Sequence, residues 1–247
     1  MKKFFIKLTA VIFTVSAFLL AGFVSVIGTA TSGAFYRWQF EKNNTLEYVR
    51  AQASYTADPA AKEYLSSLTD SGLEELMSHT MKYCLGAEDD LNPIINGERV
   101  EVFRPDEVSH MYDVKTVFKG GIAIGAVSAV LFISGLAAAL VFKKSFYENC
   151  RKIPYITLAV MLGLIAVIGL AAAVDFVAAF ELFHMILFEG NWTFGNGVMI
   201  AMIGAIFTDI VPVIITVWLI LSAVFVAGTV LYNRYLVKKY GGKSGAL

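Results

Sequence analysis

Four stretches of the chain are continuously apolar over about 20 residues or more: residues 8–30, 120–142, 154–174 and 211–232. About 20 helical residues cross a hydrocarbon layer roughly 30 Å thick. None of the four alternates polar and apolar positions with period 2, so they predict helices rather than barrel strands. The spacings Gly121…Gly125 and Gly163…Gly169 predict close helix contacts. Residues 1–7 have the look of a signal-peptide n-region, and Gly28-Thr29-Ala30 of a small-x-small cleavage site. The apolar run behind them exceeds 20 residues, however, against about 7–15 in a signal peptide, which predicts a retained helix.

The segments between the spans have their own patterns. After the first span, Tyr36, Trp38 and Phe40 stand where aromatic rings anchor at the headgroup boundary, with Arg37 available for lipid phosphate. Ser71…Glu74 has capping-box spacing, and Leu73, Leu76, Met77, Met81 and Cys84 then recur at helical intervals. A helix is therefore predicted over about 71–85, stopped at Gly86, with a shorter one near 60–68. Residues 88–97 read as loop and residues 99–103 (RVEVF) as a short alternating strand. Pro105 and Asp106 then start a helix that leads into the second span, broken only by Gly120-Gly121. The later segment 175–192 is a Phe-rich helix lying in or dipping into the interface, broken by Gly190-Asn191, with Trp192 as an anchor. Residues 198–207 are apolar but too short to span, which predicts a re-entrant or surface-lying piece.

Charge orients these elements. The segments 1–7, 143–152 and 233–247 hold 11 basic residues and one acid, Glu148, a net +10. The rest of the chain holds 9 basic and 19 acidic residues, a net −10. By the positive-inside bias both termini are cytoplasmic. The expected organisation is helix 1 within 1–30, an extracytoplasmic head at 31–118, helix 2 at 119–142 and a cytoplasmic loop at 143–153. Helix 3 follows at 154–174, an extracytoplasmic segment at 175–210, helix 4 at 211–232 and a cytoplasmic tail at 233–247. The fold class expected is an all-α membrane protein with four transmembrane helices and a small, mainly helical extracytoplasmic head domain.

Composition agrees and narrows the function. Of the 247 residues 57% are hydrophobic and only 16% charged, where soluble domains carry about 25% charge. That argues against a disordered chain, a secreted disulfide scaffold and an ordinary cytosolic enzyme. Cys84 and Cys150 fall on opposite sides of the predicted membrane and cannot pair, and three His give little material for a metal cluster. No HExxH, GxSxG, GxxxxGK or CxxC pattern occurs, and the spans carry no chain of acids.

What remains with catalytic character is His110 with Asp113, one turn apart on a helix, and His184 with Glu181. Both histidines lie on the outer side near the acyl-chain boundary, where imidazoles suit acid–base work on a lipid ester. Blander readings stand beside this one. Each His can be a hydrogen-bonded structural residue, Asp113 and Glu181 solvated helix charges, and Arg104 and Lys115 headgroup contacts. His79 has no assigned role, and metal ligation lacks ligand spacing. A non-enzymatic sensor or accessory subunit with a ligand-binding outer domain is the alternative, and a permease is disfavoured by spans without buried charge.

The stretch VEVFRPDEVSHMYDVK (100–115) resembles a motif, F…E-x-x-H-M-x-D-V-K, of the lipoprotein intramolecular transacylase family of small four-helix bacterial membrane proteins. Asp175, Phe176, Phe183-His184, Phe188, Asn191-Trp192 and Phe194 resemble its second motif. The chain departs from the family at Gly195-Asn196-Gly197, where an Asp-Pro type turn would stand, and the stretch from there to Phe207 has no proline. The resemblance implies an acyltransferase of the bacterial cell membrane that works at the outer leaflet on diacylated lipoproteins. It implies transfer of one acyl chain from the glyceryl ester of the lipid-modified N-terminal cysteine to that cysteine's α-amino group, giving the lyso form. His110 and His184 would be the catalytic pair, with Asp113, Lys115, Arg104, Asp175, Glu181 and Trp192 in support. No cofactor, metal or nucleic acid is expected, and the partners are lipoprotein substrates and membrane lipids.

Overall fold

The computed structural model describes residues 2–188 and 195–241. The expected break at Gly190-Asn191, the anchor Trp192, Phe194 of the second motif and the tail's Lys243 lie outside the described residues. The described residues are almost entirely helical, and among them four helices are long and apolar enough to cross a membrane. These are α1 (Lys2–Ala30), α6 (Pro105–Val141), α8 (Ile153–Val174) and α11 (Phe207–Tyr240). At 1.5 Å per residue, the 37 residues of α6 extend about 55 Å, well beyond the hydrocarbon thickness. The protein is a multi-pass membrane protein. No break occurs at Gly120-Gly121; α6 runs through both glycines, because a helix in an apolar setting keeps its backbone hydrogen bonds internal.

The chain divides into two compact units, one formed by residues 1–25, 122–180 and 215–247, the other by residues 26–121 and 181–214. In the first unit, helix contact depends on small residues facing large ones. A Cβ at Gly135 would lie 2.6 Å from the Phe13 side chain, one at Gly125 2.5 Å from Phe23, and one at Gly22 2.8 Å from Trp218. Of the glycines expected at contacts only Gly125 is used, since Gly121, Gly163 and Gly169 face open space. Phe13 stacks on Phe132 at 5.2 Å, and the Trp218 indole donates to the Phe18 carbonyl at 2.9 Å. The loop expected at 143–153 contains a further helix, α7 (Lys143–Cys150), before α8 begins.

The second unit is built from short, capped helices around one core. Ser32 caps α2 (Gly33–Asn43), and Asn44, at φ +51°, turns the chain into α3 (Thr45–Ala51). Phe35, Tyr36 and Phe40 are buried here and only Trp38 is exposed, so the supposed anchoring cluster is mostly core. Asp58 and Pro59 start α4 (Pro59–Ser67). Next, α5 (Asp70–Leu85) buries Leu73, Leu76, Met77 and Cys84 and ends on left-handed Gly86. Its N-cap is Thr69, not Ser71, and Glu74 instead pairs with the exposed Arg37 guanidinium at 2.9 Å.

The expected strand at 99–103 is corrected to a two-residue hairpin, β1 (Ile94–Ile95) with β2 (Glu98–Arg99), closed by Asn96-Gly97. Both turn residues have positive φ, +53° and +88°, the conformation that Asn-Gly supplies in a tight hairpin. The alternation in RVEVF survives as burial, with Val100, Val102 and Phe103 entering the core. The stretch expected to be re-entrant or surface-lying forms α10 (Val198–Ile203) and a following turn. It packs on α3, and Val198, Met199, Met202 and Ile206 are buried in the same core. Those four side chains are covered by protein, while Ile200 and Phe207 of the same stretch are exposed.

Candidate active site

Arg104-Pro105-Asp106-Glu107 begins α6 with Pro at the first helical position, where a missing N–H costs nothing. Glu107, three residues past the cap, reaches back to the Arg104 N–H at 2.9 Å. Its other oxygen accepts from the Met199 N–H at 2.8 Å, in the first turn of α10. One fully buried carboxyl therefore caps two helices. A Cβ at Gly197 would lie 2.2 Å from that carboxyl, so the glycine that departs from the family pattern is what admits Glu107.

With its first turn fixed, α6 turns Glu107, His110, Met111 and Lys115 inward. His184 comes from α9 (Phe176–Leu187) and is the buried residue of that helix; Phe183, Met185 and Ile186 around it are exposed. The imidazoles of His110 and His184 lie nearly parallel, with centroids 6.2 Å apart and planes inclined by 20°. Phe188 contacts both, at 4.9 Å from His110 and 5.3 Å from His184, and Phe183 meets His184 edge-on at 5.2 Å. The in-plane nitrogens of two rings at this spacing can each hold one heteroatom of a shared reactant at about 2.8–3.0 Å, and the burial of both imidazoles beside buried Phe188 makes such hydrogen bonds count for more.

The other sequence candidates fall into different places. No hydrogen bond or ion pair among the described residues links half-buried Asp113 to His110. Lys115 is buried; its ammonium donates to the Glu88 carbonyl at 2.7 Å and lies 4.2 Å from the centre of the Tyr83 ring, holding the loop after α5 against α6. Arg104 grips Asp106 at 2.7 and 3.0 Å and also donates to the Asn196 carbonyl, which positions the chain entering α10. Neither cation is a plain surface or headgroup contact, since each has its partner inside the protein. Exposed Asp175 caps α9 through the Ala178 N–H at 3.0 Å and belongs to the first unit. Glu181 is exposed on α9, and Trp192 lies outside the described residues. His79 meets the Asp90 carbonyl at 3.0 Å, a structural contact. Among the described residues no group of three His, Cys, Asp or Glu could hold a metal.

Sequence reasoning missed Glu107, Gly197 and the position of Phe188 against both rings. For Glu107 the signal was present, because Pro at N1 with Glu at N3 is a helix-start signature in which the acid accepts from the cap.

The family model of the lipoprotein intramolecular transacylase Lit matches residues 11–207. The chain belongs to that family. As a lipoprotein intramolecular transacylase it is an acyltransferase, and its fold is shared by solved members. The membrane-integral transacylase Lit of Bacillus cereus superposes with a TM-score of 0.62 at 19% identity, over 96% of this chain and 97% of that one. A variant of the same protein with one histidine replaced by alanine gives a TM-score of 0.62 at 17% identity, over 96% of each chain. One with the histidine replaced by arginine gives 0.60 at 19%, over 98% of this chain and 95% of that one. No curated protein matches the transacylase described here.

Proposed function

We propose that this transacylase moves one acyl chain from oxygen to nitrogen within a diacylglyceryl-modified N-terminal cysteine. The α-amino nitrogen attacks the ester carbonyl, an amide C–N bond forms and the ester C–O bond breaks. The proton lost by the amine is balanced by the proton gained by the departing glycerol oxygen. The product is the N-acyl, S-monoacylglyceryl lipoprotein. An α-amino group titrates near 7.7–8.0, so a neutral imidazole is base enough to supply the free amine. Nucleophile and ester sit on one molecule, and holding them in contact removes most of the entropic barrier.

The observation that carries this reading is the pair of buried imidazoles at 6.2 Å, one from α6 and one from α9. One ring takes the amine proton while the other gives a proton to the glycerol oxygen or steadies the oxyanion. The segregated charge supports a site at the outer leaflet with both termini in the cytoplasm.

Mass spectrometry of lipoprotein N-terminal peptides tests the proposal in a host whose lipoproteins are diacylated. Expression of the wild-type chain should move one acyl group to the amine. His110→Ala and His184→Ala should each reduce the product by about 100-fold or more, the usual range for an acid–base group. An unchanged linkage with correctly inserted wild-type protein refutes the reaction, and full activity in either variant refutes the pair.

A further inference from the structure

A cleft of about 260 Å³ opens at the head of α6, lined by Gln52, Tyr55, Asp58, Glu101, Arg104 and Asn196 among others, all within the second unit. Its charged groups are already engaged. Asp58 accepts from the Ala60 and Glu101 N–H groups at 3.1 Å each, Glu101 pairs with Arg99 at 2.9 Å, and Arg104 is held by Asp106 at 2.7 Å. Gln52 is different. Its Nε2 donates to the Tyr48 carbonyl at 3.2 Å, while its buried Oε1 has no hydrogen-bond partner. Gln52 lines the cleft, so a donor entering there can satisfy that oxygen while the Nε2 bond to Tyr48 is kept. Beside it, Tyr55 is 67% exposed and offers an unoccupied ring face. A cleft with a spare neutral acceptor, an aromatic face and satisfied charges suits a peptide main chain better than a charged ligand.

The distance fits the substrate. Arg104 precedes His110 by six residues, about 9 Å along the helix axis, and about three extended residues cover the same length. The cleft lies at the start of α6, among polar residues of the second unit. An amphipathic substrate with acyl chains in lipid must lead its peptide off in that direction. We propose that this cleft holds the main chain of roughly the second to fourth residues of the lipoprotein, with Gln52 Oε1 accepting from a substrate N–H. This rests on the acyl-transfer reading given under Proposed function. Recognition through the main chain lets one enzyme serve lipoproteins of different sequence.

The test uses the full protein in detergent and diacylglyceryl-cysteine amides extended by zero to six residues. Their amine is blocked by acetylation, so binding is read without turnover. Affinity should rise about tenfold between the bare amide and the form with three added residues, the worth of one or two net hydrogen bonds, and then level off. Scrambling the added residues should leave the gain in place. Gln52→Ala should flatten the length dependence, while Gln52→Glu, which keeps an acceptor, should restore it. Equal affinity at every length, or a Gln52→Ala loss that is the same at every length, overturns the cleft. Turnover of unblocked substrates reports separately on the acyl-transfer reading, so the two can fail independently.

Discussion

Replacing Glu107 by alanine removes one side chain and uncaps two helices. The Arg104 and Met199 N–H groups, now satisfied at 2.9 and 2.8 Å, would lose their acceptor. A buried donor left without a partner costs about 1–3 kcal/mol. The Arg104 end is only partly buried and can recruit water, whereas Met199 cannot. The carboxyl is no longer desolvated in the variant, which offsets part of the loss. The net cost is about 2–4 kcal/mol, or about 4–16 °C in Tm for a chain of this size. Thermal unfolding in detergent measures it, and hydrogen exchange over residues 198–206 locates it. Glu107→Gln keeps the shape and one carbonyl acceptor and should lose less, while Gly197→Ala should act like Glu107→Ala by displacing the carboxyl. Unchanged Tm and unchanged protection over 198–206 in Glu107→Ala would refute the double cap.

Lys115→Met should lower Tm by breaking the bond to Glu88 and the contact with Tyr83, with activity falling only as far as stability does; a kinetic loss in fully folded protein would mean that Lys115 meets the substrate. Asp113→Asn should leave turnover roughly unchanged, because no hydrogen bond joins Asp113 to His110, and a large fall in kcat at constant KM would contradict this. Burial pushes the Cys84 thiol up to about 12, so at neutral pH it is protonated and shielded. Alkylation with a maleimide should therefore be slow in the folded protein and fast once heat unfolds it, and rapid labelling in the cold would show that the core is open.

Periodicity and charge made the four long helices, the helices near 60–68 and 71–85 and both histidines legible in the sequence, since each depends on a local pattern. Tyr36 and Phe40 were misread as anchors because such rings look alike whether lipid or protein covers them. For the same reason, Val198, Met199, Met202 and Ile206 looked like membrane contacts, although they are buried in a core shared with α3, some 150 positions earlier in the chain. Asn96-Gly97 was a visible hairpin signal hidden by the stronger alternation beside it. At the site, proximity on one helix suggested Asp113 as the partner of His110, but the inward face instead carries Glu107 and Lys115. Sequence spacing gives which residues share a face, and packing decides which face turns inward.

The carboxyl of Glu107 and the amide of Met199 are separated by 92 positions, and this sets an order of events during biosynthesis. The ribosome completes α2 to α6 long before residue 199 exists, so in the nascent chain α3 lacks its cover from α10 and Glu107 lacks one of its two donors. Maturation can finish only after α8 and α9 have been delivered, and a chain that stalls before then should be recognised by quality-control proteases as incomplete.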